Sequence, residues 1–170
     1  MRMQRLVTVF RAFFDETGRN PVEDKAFVMG GFLGRVEDWL RVSDAWDECL
    51  RETPRIEFFK HSDFMTLGGQ FWKFNRQQAD RKMLALATVI SNYDLHGFCA
   101  IVPHGLIKNK PVEKGLIGSR VYDWGFALAT KLVLQHMRLQ PEHEKVDFIF
   151  DKCSELRANI ENFNAMKENP

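Results

Sequence analysis

The chain has 170 residues and a formal net charge of +1, from 24 Lys plus Arg against 23 Asp plus Glu, so it is of single-domain length and neither a polycation nor an acidic tail. With 45% hydrophobic and 28% charged residues, it is excluded from the disordered and fibrous classes. The expectation is one domain spanning 1–170 around one core, without a second.

Cys49, Cys99 and Cys153 are odd in number and contain no C-x-x-C pair, which argues against a disulfide scaffold or zinc knuckle and for a reducing, cytoplasmic setting. The N-terminus begins basic, but its apolar run is broken by Arg11 and ends in an acidic turn, so it does not read as a signal peptide. No apolar run approaches the roughly 18 residues that a membrane helix needs, so no membrane partner is expected.

Along the chain, Val7 to Phe14 is β-branched and aromatic and stops at Asp15-Glu16-Thr17-Gly18, which predicts a buried strand and a turn. Ala26 to Leu33 predicts the next strand, joined to the first as a hairpin. Val36, Trp39, Leu40, Trp46 and Leu50 recur at helical spacing and predict a helix over Val36 to Glu52 with that stripe inward. Pro54 ends it, and Ile56 to His61 is expected to be extended. Phe64 to Phe74 fits no single pattern.

Gln77 to Asn92 predicts a helix with Met83, Leu84, Ala87 and Ile90 on its inner side, and Leu95 to Val102 a strand closed by Pro103. Pro103 to Ser119 reads as an irregular segment with His104, Lys108, Lys110 and Lys114, and Arg120 follows. Tyr122 to Gln140 is a helix apolar on nearly every side, hence buried on a sheet. Val146 to Asp151 is a strand, and Ser154 caps a last helix with Leu156, Ile160 and Phe163 inward. This order predicts an α/β domain with a mixed sheet flanked by helices, with Val7 to Phe14 and Val146 to Phe150 both internal strands because each is apolar on both faces.

Asp15 and Asp151 each stand where an apolar strand runs out, and ligands of open α/β sheets collect at the carboxyl ends of strands. Two converging carboxylates repel unless a divalent cation lies between them, which makes the pair a metal-site candidate. The plainer reading of each is a turn residue that bonds its own backbone. If Ile56 to Asp63 is extended, Glu57, Phe59, His61 and Asp63 share one face, so Glu57 can complete a metal site and His61 can shuttle a proton near neutral pH. The plainer reading of His61 is a hydrogen-bonded strand-end residue. Gly30-Gly31 matches neither a dinucleotide fingerprint nor a P-loop, and no histidine partner for a thiol nucleophile is identifiable.

Phe14-Asp15-Glu16-Thr17-Gly18, Phe27 to Gly31, the acidic tryptophan helix Glu37-Asp38-Trp39, the Glu57 to His61 segment and Phe150-Asp151 together resemble the family called domain of unknown function 3800. Members typically begin with a strand ending in D-E-S-G and a second ending near G-G. The resemblance implies a ribonuclease H-like fold with carboxylates at the ends of central strands, and a bacterial or mobile-element origin. Two departures stand out. Thr17 replaces the usual serine, and members continue into a helix with another aspartate in a pattern like L-Q-x-A-D, whereas 152–170 contains no aspartate. The expectation is a shortened member or an incomplete acidic set.

Two functions follow as expectations. One is a divalent-metal-dependent nuclease or phosphodiester hydrolase using Mg²⁺ or Mn²⁺, with Asp15, Glu57 and Asp151 as ligands, His61 as proton shuttle and nucleic acid as partner. The other is a non-catalytic ribonuclease H-like binding or interaction module, which the missing aspartate favours.

Overall fold

The computed structural model describes residues 9–20, 22–107, 121–139 and 145–150. The order is β1 (Val9–Thr17), β2 (Ala26–Arg35), α1 (Val36–Arg51), α2 (His61–Thr66), a single 3-10 turn (Gly69–Phe71), α3 (Arg76–Ser91), β3 (His96–Pro103), α4 (His104–Ile107), α5 (Val121–Arg138) and β4 (Lys145–Phe150). The mixed α/β class is as expected. Lys108, Lys110, Lys114, Arg120, Asp151 and the expected helix capped by Ser154 lie outside the described residues.

The described residues form two compact units, one running to Leu33 and resuming at His96, the other spanning Gly34–Leu95. Where length argues for one core, each unit has its own. The physical reason is the aromatic content of the segment between β2 and β3, which is enough to build a second cluster.

In the first unit the strand order is β3-β2-β1-β4, with β2 antiparallel to β3 and β1 parallel to β4. Strand alternation sorts β1 cleanly: Phe10, Ala12 and Phe14 are buried, while Phe13 and Asp15 are exposed. The buried set joins Phe27, Met29 and Leu33 of β2 against Tyr122, Phe126, Ala129 and Val133 of α5. α5 approaches closely at Gly125, where a Cβ would come within 2.3 Å of the fully buried Phe27 ring. β1 is internal as expected. Among the described residues β4 ends the sheet, its residues exposed to half-buried, where an internal strand was expected. Val146, Phe148 and Phe150 share one face of β4 and pack on the core, while Ile149 on the other face is half-buried.

In the second unit α1 packs on α3. An Asn75–Gln78 capping box starts α3: the Asn75 side chain accepts from the Gln78 N–H at 2.9 Å and the Gln78 side chain accepts from the Asn75 N–H at 2.9 Å. The inner faces differ from the expected ones. α1 buries Val42, Cys49 and Leu50 while Leu40 is exposed, and α3 buries Ala79, Lys82 and Leu86 while Met83, Leu84 and Ala87 are exposed. The remaining core is aromatic: Phe64, Phe71 and Phe74 with Ile56.

Candidate functional site

The parallel register of β1 and β4 runs from Val9↔Lys145 to Phe14↔Phe150. Asp15 is the next residue on β1, and Asp151, the next along the chain after Phe150, lies outside the described residues. Asp15 is exposed on the sheet face opposite α5, and its Oδ1 accepts the Glu16 N–H at 2.8 Å. That bond is to the next residue within β1, not the i+2 bond of a turn, and it uses one of two carboxylate oxygens.

The turn after Asp15 is held from three sides. Gly18 has φ +77°, and a Cβ there would lie 2.1 Å from the Ala26 carbonyl oxygen, so only glycine fits. His104, expected in an irregular cationic segment, is instead buried at the start of α4. Its Nε2 lies 2.8 Å from the Gly18 carbonyl and its N–H donates to the Lys25 carbonyl at 3.2 Å. Glu16 pairs with Arg19, whose guanidinium lies 5.5 Å from the Tyr122 ring centroid. Asp15 therefore projects from a fixed strand end.

Two further carboxylates of this unit went unnoticed in the sequence. Asp147 pairs with Arg11 at 3.9 Å, and since it is in register with Arg11 it stands four residues from Asp15, about 13 Å along the strand and too far to share one ion. Asp123 is buried in the first turn of α5, inside a helix read only for its apolar residues.

Glu57 and His61 belong to the other unit. The extended segment they were assigned to is absent: residues 57–60 are irregular, and His61 and Asp63 begin α2, so the shared period-two face does not exist. Glu57 is exposed and its N–H donates to the Gln70 side chain at 2.8 Å, while the exposed His61 ring lies 6.1 Å from that of Phe64. The physical reason is Phe64 and Phe71, which draw the segment into a compact aromatic turn rather than a sheet.

A groove of about 470 Å³ also lies in this unit between α1 and α3, with Cys49 and Glu52 on one wall and Arg81 and Thr88 on the other. Burial pushes the Cys49 thiol up, with the nearby Lys82 cation opposing, so the groove holds no activated thiolate.

Among the described residues no three His, Cys, Asp or Glu side chains gather to hold a metal, and no helix is long and apolar enough to cross a membrane. No family model, curated protein or solved structure matches this chain. The case for function therefore rests on chemistry within each unit.

Proposed function

We propose that this chain is a divalent-metal-dependent phosphodiester hydrolase of nuclease type on a ribonuclease H-like sheet, with Asp15 and Asp151 holding Mg²⁺ or Mn²⁺. The observation that carries the reading is the Phe14↔Phe150 register: β1 and β4 are adjacent and run the same way, so their chains leave the pairing at the same end, each with an aspartate as its next residue. The donor chemistry suits the ion. Mg²⁺ keeps several waters and is typically held by one or two carboxylates plus substrate phosphate, so a sparse set of aspartates is sufficient.

When bound, such an ion polarises the phosphoryl oxygens and lowers the pKa of a coordinated water. The chain's own part is positional. Asp15 supplies hard oxygen from a strand end that Gly18, His104 and the Glu16–Arg19 pair keep in place. Glu57 and His61 are not part of this proposal, because the extended segment that was to align them does not form.

The test is cleavage of single-stranded and duplex DNA and RNA with Mn²⁺ by the unmodified chain, Asp15→Asn and Asp151→Asn. The expected result is turnover abolished by EDTA and reduced at least a hundredfold in either variant, the scale of losing one group that stabilises the transition state. A folded chain without metal-dependent cleavage would instead support the non-catalytic module.

A further inference from the structure

Between Arg55 and Arg76 the chain carries six aromatic residues. Phe59, Phe64 and Phe71 meet pairwise with ring centroids 5.8 to 6.0 Å apart, and Phe71 packs on Phe74 at 4.9 Å. Three apolar side chains next to these in sequence stay outside the cluster: Phe58, Met65 and Trp72 are 50%, 57% and 69% exposed. Three large apolar side chains in water beside one packed cluster are material for a contact surface, and the charges decide whether it has a partner.

The charges around them select its chemistry. The segment has four Lys and Arg, all exposed, against two carboxylates, and Arg76 of the four pairs with Asp80 at 3.6 Å, leaving Arg55, Lys60 and Lys73. One of the two, Asp63, accepts the Gln70 N–H at 3.4 Å and lies against Gly69. Lys73 holds its ammonium 4.5 Å from the Trp72 ring centroid. Lysine is depleted from the centres of protein interfaces, where a dry apolar patch is wanted. A cation beside an exposed indole suits a ligand that has both a flat π-face and an adjacent negative charge. Nucleotides supply both, and a base must be unpaired to stack on a side chain.

We infer that the 55–76 face binds single-stranded nucleic acid, with the open face of the Trp72 indole stacking a base and Lys73 meeting a flanking phosphate. Binding of this kind does not require that the strand-end aspartates turn over substrate.

The test is fluorescence anisotropy of labelled oligo(dT) and oligo(U) of about 15 nucleotides with the full chain, in EDTA, so that binding is read apart from any metal-dependent cleavage. The expected result is affinity that falls as salt rises from about 50 to about 200 mM. Trp72→Ala weakens it about tenfold, Trp72→Phe retains most of it, and Phe58→Ala lowers it too. Lys73→Gln reduces the slope of log affinity against log salt by about 0.7, the loss of one phosphate contact to a single strand. Trp72 is exposed enough that its variants should melt as the parent does. Absence of salt-dependent binding, equal affinity for duplex, or affinity unchanged in Trp72→Ala overturns the inference. So does a chain whose self-association, not its oligonucleotide binding, is lost in Trp72→Ala, since the partner is then a second copy.

Discussion

Lys82 lies on the packed side of α3, a position that pattern reading reserves for an apolar residue. Its Nζ donates to the Cys49 carbonyl at 2.6 Å and to the Glu52 carbonyl at 2.9 Å, satisfying the end of α1 where the helix dipole is negative. Two charge-assisted bonds, each of order 1.5–3 kcal/mol, offset the cost of burying one ammonium. Lys82→Met keeps the stem and leaves both carbonyls short of a donor. A loss of about 1–3 kcal/mol in denaturant unfolding is expected, and unchanged stability would contradict this role. His136 makes a second residue-scale case. Burial, and then the neighbouring His96 at a ring distance of 4.5 Å, hold its pKa below the ordinary 6.5. The folded chain thus binds this proton less tightly than the unfolded chain. The neutral form's contribution is complete above about pH 6.5 and is lost as pH falls through the unfolded value toward the lower folded one. The melting temperature should drop between about pH 7.5 and 5.5, and His136→Phe, which retains an aromatic ring against Phe98, should flatten that drop. Identical pH profiles for the two proteins would count against it.

At the scale of elements, the docking of α5 on β2 turns on Gly125. Alanine there would raise helix propensity by about 1 kcal/mol, yet its Cβ would meet the Phe27 ring at 2.3 Å, and Phe27 is fully buried with Tyr122 at 5.9 Å on its edge. Overpacking of this kind costs about 1–3 kcal/mol, so Gly125→Ala should be destabilising on balance. A stabilised variant would show that α5 shifts freely over the sheet. The elements most legible in the sequence were those with one strong periodicity. α1 was expected over Val36 to Glu52 and runs Val36–Arg51, and β2 was expected from Ala26 and begins there. The inner face of α3 was less legible, because Lys82 holds an inward position through hydrogen bonds that hydropathy does not register. The Ile56 to His61 segment was misread for the same kind of reason: an apolar, aromatic stretch after Pro54 suggests an extended segment, but the decisive contacts are with Phe64 and Phe71, which local pattern cannot anticipate. Of the candidate site, the place of Asp15 near the end of β1 was legible from the apolar run before it, although the strand runs on to Thr17. The support behind it, from His104 and from Arg19 over Tyr122, spans 86 and 103 residues of sequence and left no local signal.

For the molecule as a whole, near-neutral charge means that any hold on an anionic polymer is local rather than a property of the entire chain. The two proposals assign that hold differently: a cation at the strand-end aspartates of one unit, and an aromatic, basic face on the other. Each can succeed or fail alone. Divalent-ion binding by Asp15 and Asp151 is read from the melting temperature of the full chain titrated with Mn²⁺. A ligand that binds only the folded state stabilises it by about 2.7 kcal/mol at a hundred times its dissociation constant. The account predicts a melting temperature that climbs with Mn²⁺ concentration in the parent chain and stays flat in Asp15→Asn and Asp151→Asn. A parent chain that does not respond to millimolar Mn²⁺, or aspartate variants that respond as the parent does, would contradict it.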